Sequence, residues 1–194
     1  MEERYLNEKE SLELISQMIQ NTQQRIRKNN GMPFLVWGYL SIVVSVAVWY
    51  LLKTTNEYYW NYLWFLIPGL GYPTMMYLLK KEEKGMKTYI DKIISYIWIS
   101  IGTASLVVTV GSIFFWHLPV LFIILLLVGT GTAMTALIIK FKLLIFLGFA
   151  CLFSSVLCLV VKDVNVILVF AFIFLIIMVI PGHILNYKNR KQYV

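Results

Sequence analysis

The chain has 194 residues, of which 59% are hydrophobic and only 14% charged, with a formal net charge of +7. A soluble domain carries about 25% charged residues, so a mean hydropathy of +0.74 excludes a soluble globular enzyme. The composition is that of an integral membrane protein, and its positive balance needs no nucleic-acid partner.

About thirty polar residues precede the first apolar run, so no cleavable signal peptide is expected. Within them, residues 7–29 form one amphipathic stretch. Asn7 is suited to cap a helix with Glu10 three residues on, and Leu12, Ile15, Ile19 and Ile26 recur at helical spacing. "NNG" then reads as a stop, with Gly31 in the C-cap role and Pro33 just beyond. The leading reading is a cytoplasmic helix packed on the bundle or on the membrane surface. The sharper one is a docking or dimerisation helix for a protein partner.

Six apolar stretches follow, at about 34–52, 59–79, 90–115, 118–139, 142–161 and 164–187. Each approaches the roughly 20 residues that a helix needs to cross the hydrocarbon core. Cations test the threading. With the N-terminus inside, the N-terminal segment, the 80–92 connection, Lys140 with Lys142 and the C-terminal tail together hold 15 of the 17 lysines and arginines. Lys53 and Lys162 remain outside. This positive-inside bias predicts an all-α integral membrane protein with six transmembrane helices, both termini cytoplasmic, preceded by a cytoplasmic amphipathic helix. The predicted parts are residues 1–31 (amphipathic helix), 32–187 (bundle) and 188–194 (basic tail). Anionic lipid of the inner leaflet is the expected counter-charge.

Aromatic residues gather at the predicted span ends. Tyr58-Tyr59-Trp60 reads as part of an outer interfacial belt, with a sugar- or base-stacking site as the alternative. In the second span, "PGLGYP" (Pro68, Gly69, Gly71, Pro73) is the likeliest irregular segment, either a structural kink or a hinge or solute site. "IPG" recurs at Ile180-Pro181-Gly182, but at a different depth, so an inverted repeat of the transporter kind has little support.

"LLLVGTGTAMTALIIK" (125–140) superficially resembles a phosphate loop. It lacks the Gly-Lys-Ser/Thr end of that motif and lies at mid-membrane depth, where backbone groups are satisfied inside a helix. Periodicity puts Gly129, Thr132, Ala133 and Ala136 on one face, a small-residue surface for close helix approach. Ser105 and Thr109 belong to a similar stripe in the third span. The stripes are packing surfaces bonded to their own backbones or the lining of a narrow polar path. Spans one, three, four and five are thus expected at the centre, with the outer part of the bulky sixth span facing lipid.

All ten carboxylates lie in tails or connections, so a carboxylate-based ion relay has no visible carrier. His117 and His183 fall at opposite ends, no metal-ligand cluster forms, and no serine has a base at its depth. His183 with Asn186 forms a candidate inner polar site. Cys151 and Cys158, seven residues apart, are too distant to bridge within one helix. No cofactor is expected, and the chain reads as non-enzymatic.

"EKESLELISQMIQNTQQRIRKNNGMPFLVWGY", "WNYLWFLIPGLGYPTMM" and "GMKTYIDKIISYIW", which cover roughly the first hundred residues, resemble a family of small bacterial multi-helix inner-membrane proteins of unassigned function. The resemblance implies a bacterial cytoplasmic membrane and transfers no site residue. The expected role is a scaffold, sensor or partner subunit. The alternative is a small permease or channel for an uncharged or lipophilic solute. Oligomeric state and partner identity are not legible in the residues.

Overall fold

The computed structural model describes residues 12–14, 16–17, 31–82, 89–114 and 118–190, with backbone alone at 79–82 and 187–190. The described residues are helical, with no strand among them. Within the amphipathic stretch 7–29, residues 12–14 and 16–17 are helical, and the rest lies outside the described residues.

Helix α1 runs Gly31–Thr55, and a 3-10 helix Tyr58–Phe65 leads into α2, Leu66–Glu82. Helices α3 (Tyr89–Phe114), α4 (Val120–Ile138) and α5 (Lys142–Ser154) follow. A short α6 (Leu157–Val160) completes the fifth stretch. The last stretch is α7 (Val166–Phe174), a π-helical turn (Leu175–Val179) and α8 (Ile180–Arg190). Among the described residues, five helical stretches are long and apolar enough to cross a membrane: Gly31–Thr55, Tyr89–Phe114, Val120–Ile138, Lys142–Val160 and Val166–Asn186. The protein is therefore of the multi-pass membrane class.

The second stretch is built differently. Its first eight residues coil as a 3-10 helix with about three residues per turn, so Tyr59, Tyr62 and Phe65 align on an exposed face. Trp60 and Leu63 align on the opposite face, against Val44, Val48 and Ile167. Pro68 falls in the first turn of α2, where a missing N–H is tolerated. Pro73 lies inside α2 and withholds the hydrogen bond due to the Gly69 carbonyl.

Gly31 does not end a helix. It opens α1, and no glycine among the described residues has a positive φ, so the left-handed C-cap geometry is absent. Its lack of a side chain serves packing instead: a Cβ there would meet the Asn186 carboxamide and lie 2.8 Å from the Gly182 carbonyl oxygen.

Sharp reversals elsewhere use residues with positive φ: Asn56 (59°), Lys140 (52°) and Asp163 (66°). At the α4–α5 turn, Lys140 N–H donates to the Leu137 carbonyl at 3.3 Å and Phe141 N–H to the Ala136 carbonyl at 3.1 Å. This is the Schellman pattern, with lysine where glycine is usual.

The fifth stretch is interrupted at Ser155–Val156. Ser154 Oγ donates to the Cys151 carbonyl (3.1 Å) and Ser155 Oγ to the Leu152 carbonyl (2.7 Å). Serine hydroxyls that compete for helix carbonyls loosen the turn. The next backbone bonds, Cys158 N–H to Ser155 and Leu159 N–H to Val156, are both tightened to a three-residue step.

Neighbouring helices approach one another at glycines. Trp37 of α1 covers Gly71 of α2, Tyr72 of α2 reaches Gly102 of α3, and Ile101 of α3 fills the space over Gly131 of α4. Helices α4 and α5 form the closest pair. A Cβ on Gly148 would lie 2.7 Å from the Ala133 nitrogen and 2.8 Å from its Cα, so the two backbones touch. The small-residue face at Gly129, Thr132, Ala133 and Ala136 is buried as a unit.

The centre of the bundle differs from the expectation drawn from small residues. The last stretch is the most buried span, at 56% of its apolar window, and α3 is the least, at 0%. Phe170, Phe174, Ile177 and Met178 form the core with Leu125, Ile139 and Leu144. The reason is complementarity of large on small. Met178 and Val179 sit over Gly38 of α1, where a Cβ would be 2.9 Å from each. A helix that is bulky along most of its length reaches the centre because its neighbour supplies the hollow at Gly38. What remains exposed is a narrow stripe, Leu168, Phe172, Leu175 and Ile180, continued by His183.

Candidate functional site

The residues singled out in the sequence fall in three places. Along α2, Gly69 is exposed with open space around its Cα, whereas Gly71 is buried under the Trp37 ring, 2.6 Å from where a Cβ would be. Pro68 is half-buried and Pro73 exposed. Trp37 and Tyr72 stack edge to face, with centroids 5.4 Å apart and planes at 82°. Thr74 Oγ1 donates to the Leu70 carbonyl at 2.7 Å, beside the proline break. The glycine-proline segment is thus clamped on its Gly71 side and open on its Gly69 side.

The hydroxyl stripes are turned onto their own helices. Thr109 Oγ1 donates to the Ser105 carbonyl (2.8 Å), Ser112 to Thr109 (2.7 Å) and Ser45 to Ser41 (2.6 Å). Nor do the two stripes face one another. Gly129 is covered by Leu152 and Cys151 of α5, while α3 meets α4 at Gly131 through Ile101 and Trp98. Cys151 Sγ donates to the Leu125 carbonyl at 3.4 Å, and both cysteines are free and buried. Two hydroxyls break the pattern: Thr132 Oγ1 and Thr135 Oγ1 are buried without a hydrogen-bond partner.

At the end of the bundle that holds Gly31 and Gly182, the candidate pair His183 and Asn186 separates. Asn186 packs on Gly31. His183 pairs instead with Tyr39 of α1, whose hydroxyl lies 2.7 Å from His183 Nε2; the rings meet edge to face at 5.9 Å. Tyr39 carried no signal in the sequence, being one aromatic residue in an apolar helix. The link depends on the antiparallel register of α1 and the last stretch, which the positions of Gly31, Gly182, Gly38 and Met178 define.

The opposite end is aromatic. Trp49 Nε1 donates to Asn165 Oδ1 at 3.3 Å, Lys53 Nζ lies 4.9 Å from the centroid of the Trp49 ring, and Trp60 Nε1 donates to Thr55 Oγ1 at 2.8 Å. Trp60 is tied inward, whereas Tyr58, Tyr59 and Tyr62 remain exposed.

A shallow groove of about 340 Å³ opens between α3 and α4, lined by Ile93, Tyr96, Ile97, Ser100, Ile101, Thr130 and Met134. The Thr130 hydroxyl is already spent on the Leu126 carbonyl at 2.8 Å. Among the described residues no three His, Cys, Asp or Glu side chains converge as a metal site would require. No protein family, curated protein or solved structure matches the chain.

Proposed function

We propose that this protein is a non-enzymatic scaffold, sensor or partner subunit of a bacterial cytoplasmic membrane, with six crossings and both termini in the cytoplasm. The observation that carries the role is the closure of its polar stripes. The hydroxyls of Ser45, Thr109 and Ser155 bond carbonyls of their own helices, and Gly148 rests on the Ala133 backbone. Small residues at such contacts serve helix association and leave no lined path for a solute between α4 and α5. Interaction then falls to the segment 7–29 and the basic connection 80–92.

The six-span threading is supported by charge. It leaves 15 of 17 cations on one side, whereas a chain whose second stretch failed to cross would have eleven at best. Single cysteines labelled with a membrane-impermeant maleimide test this in intact cells. Asp163→Cys is expected to react from outside, and Lys84→Cys only after the membrane is opened. Glu2→Cys is likewise expected to react only after the membrane is opened, and its reaction in intact cells, or that of Lys84→Cys, would sink the sixth crossing. For the role, the full chain purified from its host is expected to retain a protein that is lost when residues 1–28 are deleted. Retention of the same proteins by both forms would refute it.

A permease for an uncharged or lipophilic solute is the second reading. It draws on the apolar groove between α3 and α4 and on the unpartnered Thr132 and Thr135 hydroxyls. Water-accessible labelling at successive positions facing that groove would favour it over the scaffold.

A further inference from the structure

We propose that Tyr39 and His183 form a binding site for the phosphate of a membrane phospholipid. The argument begins with a proton count. Tyr39 Oη and His183 Nε2 share one hydrogen bond of 2.7 Å. If the phenol donates to Nε2, the ring proton is on Nδ1, which has no partner among the described residues. If Nε2–H donates to the phenol oxygen, the phenol hydrogen is left over. In the imidazolium both are left over. With the phenol protonated, every form of the pair therefore presents at least one free donor.

That donor is on the outside of the bundle. Tyr39 is 48% exposed, and His183 is exposed beside it at the end of the stripe that runs along the last span. An unmet polar hydrogen facing hydrocarbon is costly, so the pair requires an acceptor from its surroundings. Depth selects which one. In the sequence His183 lies five residues before Lys188, the first charged residue after the apolar stretch, or roughly 7.5 Å along a helix axis. Side chains on a helix lean toward its N-terminus, so Tyr39 leans toward the Gly31 end and His183 away from it, which brings the two polar tips to one level. The free hydrogen is thus within reach of the headgroup layer and out of the hydrocarbon middle.

Charge selects among headgroup acceptors. In the sequence Lys188 and Arg190 follow His183, and Arg25, Arg27 and Lys28 precede α1. Such a cationic end concentrates anionic lipid, and a phosphate oxygen accepts a stronger hydrogen bond than an ester carbonyl or water. The assignment of this end to the inner leaflet rests on the threading proposed above, but the chemistry of the site does not. The maleimide labelling tests the first, and the following measurement, made in detergent without sidedness, tests the second.

Full-length protein in a neutral detergent is titrated with dioleoylphosphatidylglycerol, with dioleoylglycerol and with inorganic phosphate, while thermal stability and ¹⁵N-histidine chemical shifts are followed. Phosphatidylglycerol is expected to stabilise the wild type and to move the His183 ring nitrogens, with the signal assigned by its loss in His183→Phe. Tyr39→Phe and His183→Phe are each expected to bind it about tenfold more weakly, as loss of a charge-assisted hydrogen bond implies. Unchanged affinity in both variants, or unmoved His183 shifts in the wild type, overturns the site. An equal response to dioleoylglycerol refutes recognition of the phosphate, and an equal response to inorganic phosphate refutes recognition of a lipid. Should His183→Phe fail to fold, Tyr39→Phe and the wild-type shifts decide alone.

Discussion

Gly148 and Gly69 are both helical glycines in predicted spans, and the structure gives them opposite roles. A Cβ at Gly148 would strike the backbone of Ala133 at 2.7 Å, and backbone cannot give way as a flexible side chain can. Gly148→Ala is therefore expected to destabilise the bundle by about 1–3 kcal/mol, the range of overpacked cores. Gly69 has no neighbour within 4 Å of the same position, and Gly69→Ala is expected to raise stability by roughly 0.5–1 kcal/mol through helix propensity. Thermal unfolding in one detergent compares the two, and shifts of the same sign would contradict the assigned packing. Lys140 poses a different residue-scale question, because it holds φ at 52° in the turn that closes α4. Lys140→Gly relieves a left-handed penalty and is expected to gain about 1 kcal/mol. A lower melting temperature would mean that the lysine head, not the backbone, matters there.

At the scale of an element, the last span shows how one proline sets the register of a whole helix. Pro181 has no N–H for the Ile177 carbonyl, and its ring crowds that carbonyl. The preceding turn opens into a π-helix, in which Ile180 N–H reaches back five residues to Leu175. The exposed stripe records the extra residue: Leu168, Phe172 and Leu175 step by four and three, and Ile180 follows by five. Without the wide turn, Ile180 and His183 would rotate by about 100° from the face they share with Leu175. Pro181→Ala, which in an isolated helix would stabilise by about 3 kcal/mol, is here expected to give no gain and to break the Tyr39–His183 bond. The His183 ring-nitrogen shifts report the bond directly, and their persistence would argue against the register role. Sequence periodicity could not reveal this. The proline is visible, but whether it kinks, bulges or ends a helix depends on what packs around it. The paired serines at 154 and 155 are equally visible in the sequence, but only the structure shows that the fifth stretch is interrupted there.

For the whole molecule, the arrangement of spans follows from pairs of surfaces. Phe174 is buried in the core with Phe170, their rings 4.6 Å apart, whereas Val107 of α3 is exposed. In lipid the transfer term largely falls away and packing remains, so Phe174→Ala is expected to cost about 2–3 kcal/mol and Val107→Ala less than about 0.5 kcal/mol. Equal costs, measured by thermal unfolding, would restore α3 to the centre. The residues alone determined that this is a helical multi-pass membrane chain and where its apolar stretches begin and end, to within a few positions. Transfer of charge and backbone into hydrocarbon is so unfavourable that it can be judged locally. They also exposed the small-residue faces, including the one that α4 presents to α5. Only the tertiary structure decided which helix occupies the middle, that Tyr39 meets His183 across 144 positions, and that Gly129 and Gly131 look toward different neighbours. Those outcomes depend on whether two distant surfaces fit, and fit is a property of the pair that neither stretch carries by itself.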